Sequence, residues 1–242
     1  MLGAIIGDIV GSRWEFFSTN DYNFELFSDK NDFTDDTICT IAVADAIMHQ
    51  KSYGAALHEW CRRYPNPMGS YGGSFNAWVR SDEPQPYGSY GNGAAMRVSA
   101  IGWAFADEES VLANAEQSAV CTHNHPEGVK GAQTVALAIH LALKLRRCHQ
   151  GEPVLHGEMM EKVIAPCVGF SGYGINIRRE SVLNRFDETC QGTVPVALCI
   201  ISKSVNFEDA IRTAVSLGAD ADTLGAIVGS IAEARWPILE EM

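Results

Sequence analysis

Glycine recurs at every fourth position through the apolar segment LGAIIGDIVGS, as Gly3, Gly7 and Gly11. On a helix these three share one face and leave bare backbone there, so a second helix can approach unusually closely. Ile5, Ile6, Ile9 and Val10 fill the rest of the surface, which predicts a buried helix over 2–12 with Asp8 as its one discordant member. The segment TLGAIVGSIAEARW near the other end repeats the device, with Gly225 and Gly229 four apart.

Helical periodicity continues between these two segments. Thr34, Asp35 and Asp36 open a second helix, TDDTICTIAVADAIMHQ, and YGAALHEWCRRY at 53–64 stops at Pro65 and Pro67. Residues 65–93 turn to Gly, Ser, Pro and Tyr and read as a long functional loop. Helices resume at 94–106, 110–122 and 126–148, the last with proline in its first turn and basic residues at its end, as the helix dipole prefers. A weaker helix is expected over 154–165, then a second Gly-rich loop, GFSGYGINIRRE, and finally VPVALCIISKS and FEDAIRTAVSLG. No segment alternates as a strand does, so the chain is expected to be all-α: a compact orthogonal multi-helix bundle forming a single domain over 1–242.

The bulk numbers set limits on function. A chain of 242 residues, 46% hydrophobic, can bury a sizeable core without staples. Its formal charge of −12 leaves no basic stripe for a phosphate backbone, so nucleic acid is not expected as a main partner. The seven cysteines are odd in number and never in CxxC spacing, which points to buried thiols in a reducing compartment rather than disulfides or zinc. The N-terminal segment lacks a basic n-region, and Asp8 interrupts it before membrane-spanning length. The expectation is a cytoplasmic protein with no membrane partner.

Candidate chemistry gathers at a few short stretches. In SLGADADTLG, Gly218 reads as a helix C-cap and Thr223 as the start of the next helix, so ADAD is expected to be a turn. On a continuous helix Asp220 and Asp222 would diverge by roughly 200°, whereas a turn lets them converge. A capping role for Asp222 is the plain alternative. Thr34–Asp35–Asp36 has the same make-up far away in sequence, and Glu15 and Asp8 add further carboxylates. That many acids brought together need a cation with hard oxygen ligands, Mg²⁺, Mn²⁺ or Ca²⁺, and two ions about 3.5 to 4 Å apart fit the number of ligands. The stretch YGSYGNGAAMR could aim backbone amides at a diphosphate, with Tyr87 or Tyr90 as a stacking face; ordinary turn chemistry and packing are the alternatives. His123 and His125 follow a helix C-terminus, where ligand contact or capping is favoured over metal binding.

Taken in order, IIGDIVGSRWEF, FTDDT, YGNGAAMR, THNHPE and GADADTLGAIVGS resemble the ADP-ribosylglycohydrolase family across nearly the whole chain. The resemblance implies a helical hydrolase with two divalent cations, Mg²⁺ or Mn²⁺, that cleaves the bond at C1″ of an ADP-ribosyl group and releases ADP-ribose. It implies Thr34, Asp35, Asp36, Asp220, Asp222 and Thr223 as metal ligands, and Glu15, with Asp35 or Asp36, as the acid that assists the reaction. Ser89, Tyr90, Gly91, Asn92 and His123 would line the ADP-ribose site. The family's usual GGDTDT is GADADT here, with Ala219 and Ala221 replacing a glycine and a threonine. The chain is also short for the family, which bears on the loops that choose the substrate. The expected substrate is an ADP-ribosylated arginine or serine on a protein, or a small-molecule conjugate. Two alternatives stand beside it: a non-catalytic ADP-ribose binder, and a metal-dependent phosphohydrolase of nucleotide diphosphates.

Overall fold

The computed structural model describes residues 1–149 and 154–238. Helix α1 (Leu2–Ser12) lies antiparallel against α14 (Ala221–Arg235), and the glycines are the reason. A Cβ built on Gly3 would fall on the carbonyl of Gly229, one on Gly7 on that of Gly225, and one on Gly11 on that of Ala221. Each added methyl would strike backbone, which cannot yield as a flexible side chain can.

Helix α2 (Asp35–His49) starts beside the middle of α1, and Asp8 holds it there. The backbone N–H of Thr34 and of Thr37 each donate to Asp8 Oδ2 at 3.0 Å, and the Thr34 hydroxyl donates to Oδ1 at 2.7 Å. Asp8 therefore satisfies donors that a helix start leaves open, rather than facing a ligand.

Helices α3 (Tyr53–Arg63), α4 (Gly73–Arg80), α5 (Gly93–Met96), α6 (Ser99–Ala104) and α7 (Glu108–Val120) follow. Helix α8 (Pro126–Cys148) then passes through the core, packed against α5, α6, α7 and α14. A continuous helical run comprises α9 (His156–Met159), a π-helical turn (Met160–Ile164) and α10 (Ala165–Ser171). The chain continues through α11 (Arg179–Val182), α12 (Cys190–Lys203) and α13 (Phe207–Val215) to α14. The described residues hold two isolated bridges, Thr34 to Met68 and Gly91 to Thr189, and no strand. No described helix is long and apolar enough to cross a membrane.

Several boundaries differ from the periodicity reading. The loop expected over 65–93 contains α4, whose Phe75, Trp78 and Val79 are buried. The helix expected over 94–106 breaks at Arg97 and Val98, where a buried arginine side chain leaves the helical path toward the end of α7. Helix α12 begins at Cys190 rather than Val194, because the Thr189 hydroxyl caps it by accepting from Gly192 N at 3.0 Å. Helix α14 begins at Ala221, two residues before Thr223. The turn thus ends at Asp220, and Asp222 belongs to the first helical turn.

Candidate active site

The N-terminal ends of α2 and α14 meet at the floor of a cleft of about 640 Å³. Both ends carry acids. Asp35 is half-buried, while Asp36, Asp220 and Asp222 are buried. Oxygens of Glu15, Asp220 and Asp222 lie within 4.8 Å of one another. Asp220 takes the N-cap position of α14 without capping it; its Oδ2 instead accepts 2.7 Å from the side-chain amide of Asn92. Asp222 is not a cap either. Its Oδ1 is buried with no hydrogen-bond partner, and so is Asp36 Oδ1, while the Thr223 hydroxyl donates to Asp36 Oδ2 at 3.2 Å.

The electrostatics follow from this crowding. Burial first, and then the charge of Asp222, push Asp35 and Asp36 well above the ordinary carboxylate range. Asp222 is raised by burial and by Asp220. Asp220 itself is pushed up to about 7 by burial, against the lowering effect of Asn92. Glu15 is pushed up to about 8 by burial and then by the charges of Asp222, Asp8 and Glu188. Carboxylates gathered in this way favour protons or a cation. The two orphaned buried oxygens are acceptors aimed at nothing in the protein, and an all-oxygen donor set suits a hard divalent ion. The residues present therefore fit such a cation.

Thr34 is less free than its neighbours. Its hydroxyl donates to Asp8 and accepts from Asp36 N at 3.2 Å, which makes it the N-cap of α2.

The rim of the cleft carries the remaining expected residues. Ser89 Oγ accepts from Gly91 N at 3.1 Å and shapes the loop. Gly88 N donates to Asn124 and Asn92 N to the Glu188 carbonyl, at 2.7 Å each, so these loop amides are engaged within the protein. Asn92 is buried, and its amide bridges Asp220 and the Thr193 hydroxyl; it supports the floor. Tyr90 is half-exposed at the rim with its ring 5.2 Å from His125. His123 is buried at the cleft wall, its Nδ1 2.7 Å from the Thr122 hydroxyl, and burial together with the Arg97 charge depresses it to about 2, so it is neutral.

Other residues of the cleft escaped the sequence reading. Glu188 lines it beside Glu15 and Asp220, and so does Phe16, whose ring stacks on that of Phe186 with centroids 6.2 Å apart. The segment from Gly69 to Phe75 forms a further wall. The acidic pair Asp187–Glu188, just ahead of the capping Thr189 of α12, was the available signal; unlike Asp35 and Asp36 of α2, which follow their capping threonine, these acids precede it.

Comparison with known proteins adds a second line of observation. The family model described as ADP-ribosylglycohydrolase matches residues 1–237. The chain is 25% identical to the human ADP-ribosylhydrolase ARH3, over 98% of this chain and 84% of that protein. It is 28% identical to the ADP-ribosylarginine hydrolase Tri1 of Pseudomonas putida (strain GB-1), over 98% of this chain and 70% of that one. A solved ADP-ribosylglycohydrolase-related protein complex superposes with a TM-score of 0.74 at 21% identity, covering 97% of this chain and 85% of that one.

Proposed function

From the premise that the chain belongs to the ADP-ribosylglycohydrolase family, and so is a glycosidic-bond hydrolase acting on ADP-ribosyl linkages, we propose that it cleaves the C1″ bond to a protein side chain and releases ADP-ribose. The observation that carries this reading is the meeting of the α2 and α14 N-termini, with the unpartnered oxygens of Asp36 and Asp222 facing one floor. The whole chain is read as one domain, supported by one continuous apolar core from α1 to α14.

Thr34, Asp35, Asp36, Asp220, Asp222 and Thr223 are the residues we assign to two divalent cations, Mg²⁺ or Mn²⁺. Bound there, such ions neutralise the crowded acids and lower the pKa of a water beside the ribose. Asn92 fixes Asp220 in place. Asp35, at the open edge of the floor, also faces the positive charge that develops at C1″. Glu15 is the group we assign to proton transfer, because it is half-buried, sits against Asp220 and Asp222, and holds its proton more tightly than an ordinary glutamate. Ser89, Tyr90, Gly91 and His123 line the part of the cleft assigned to ADP-ribose.

The mouth favours a cationic leaving group. Glu188 and Phe16 line it with a carboxylate and an aromatic ring, the pairing that suits a guanidinium, so arginine is preferred to serine. The deciding experiment supplies peptides ADP-ribosylated on arginine or on serine, with Mg²⁺, with Mn²⁺ or with EDTA. Metal-dependent release of ADP-ribose, faster from arginine, is expected. Binding without release from any conjugate would identify a binder only, and AMP as product would identify a phosphohydrolase.

A further inference from the structure

Arg97 is 1% exposed, yet its guanidinium is held by neutral oxygens and not by a carboxylate. Nη2 donates to the Ser118 carbonyl at 2.6 Å and to Thr122 Oγ1 at 2.9 Å, and Nε has no partner. A buried cation without a counter-charge is costly. Capping the end of α7 could be done by a neutral donor, so the charge itself calls for an explanation.

The hydrogen-bond directions supply one. A guanidinium can only donate, so Thr122 Oγ1 must accept from Arg97. That leaves the hydroxyl proton of Thr122 two acceptors, the Ala119 carbonyl at 3.5 Å and His123 Nδ1 at 2.7 Å. The shorter contact is the one of normal hydrogen-bond length, and donation from Arg97 polarises the hydroxyl further in that direction. The geometry favours His123 Nδ1 as the acceptor, because an Nδ1–H donor would leave the hydroxyl proton only the 3.5 Å contact to Ala119. In a neutral imidazole the proton then belongs to Nε2. Nε2 makes no hydrogen bond to the described residues and lies against the cleft-lining glycines: a Cβ built on Gly93 would stand 3.2 Å from it and one on Gly91 3.5 Å.

We propose that Arg97 and Thr122 are positioning residues that fix His123 as its Nε2–H tautomer and reserve that N–H for an acceptor oxygen of the ligand. No residue between 91 and 93 carries a side chain into that space, which is the room an oxygen of the ligand needs. The identity of the ligand as an ADP-ribosyl group rests on the function proposed above; the tautomer does not.

The experiment uses the full chain labelled with ¹⁵N-histidine. Long-range ¹H–¹⁵N correlations report which ring nitrogen carries the proton, and the signal is assigned through loss in His123→Asn. Wild type is expected to show Nε2–H alone. Thr122→Val, which keeps the shape and removes the hydroxyl, is expected to give a tautomer mixture and to weaken ADP-ribose binding by about tenfold, the effect of one lost hydrogen bond; Thr122→Ser is expected to restore both. Arg97→Met is expected to act as Thr122→Val does, and if it does not fold, the two threonine variants still decide. A wild-type Nδ1–H tautomer would overturn the proposal, as would an unchanged tautomer in Thr122→Val. The expected tautomers with no ADP-ribose binding in wild type would instead overturn the assignment of the ligand.

Discussion

The Thr34 hydroxyl donates to Asp8 Oδ1 at 2.7 Å, which ties the first turn of α2 to the middle of α1. Because Asp35 and Asp36 follow directly, the acids of the floor are aimed by a carboxylate that does not belong to it. Asp8→Ala would leave the Thr34 and Thr37 amides buried without acceptors. A loss of about 2 kcal/mol or more is expected by denaturant unfolding, at about 1 to 3 kcal/mol per orphaned donor offset by relief of a buried charge. Divalent-ion affinity measured by calorimetry is expected to fall with it. Unchanged affinity in a folded variant would show that the anchor does not aim α2.

Asp222→Asn removes one charge from a crowded floor while keeping its shape. The metal-free variant is expected to unfold at the same temperature as wild type or higher, while metal-dependent ADP-ribose release falls by about 100-fold or more. Loss of the fold instead would return Asp222 to a structural role.

Gly7 has no room for a side chain, since a Cβ there meets the Gly225 carbonyl. Gly7→Ala is expected to cost more than about 3 kcal/mol, at the upper end of overpacking penalties, or to prevent folding. The control is Gly169→Ala in α10, which is exposed and has open space around it; a gain of about 0.5 to 1 kcal/mol is expected there from helix propensity. Thermal melts of the two variants give the comparison.

Metal stabilisation is expected to depend on pH. Glu15 is raised to about 8 from 4.5 and Asp220 to about 7 from 3.8, so in the metal-free protein their contribution to stability is full below the lower value and lost as pH rises through the higher. His123 runs the other way. Lowered to about 2 from 6.5, it favours the fold above 6.5 and opposes it progressively as pH falls. Protons and cations compete for the same acids, so the rise in melting temperature on adding Mg²⁺ should be larger at roughly pH 8 than at roughly pH 5.5. Equal increments at both would mean that the ion binds elsewhere.

Much of this arrangement was legible in the residues. The glycine spacing announced a close helix contact, and the apolar period located α1, α2, α8 and α14. The resemblance placed the acids of α2 and α14 in one site. What escaped depends on contacts between distant residues. Nothing near Gly7 names Gly225 as its partner. Helix α4 hid inside a Gly-rich stretch because its apolar face is only two turns long, and the break at Arg97 hid inside an unbroken apolar pattern because a buried cation has no signature in periodicity. Asn92 lines the cleft as the sequence predicts, but nothing in its motif shows that its amide also turns inward to Asp220 and Thr193. Glu188 was passed over because its role comes from the pairing of its loop with residues 90–92.

The glycine seam joining α1 to α14 also sets an order of events during synthesis. A nascent chain still holding α14 in the ribosome has no surface to cover Gly3, Gly7 and Gly11, and it lacks Asp220 and Asp222. Seating α14 therefore buries the bare face of α1 and completes the acidic floor in one step, so a product truncated before α14 lacks both a closed core and the full set of acids at that floor.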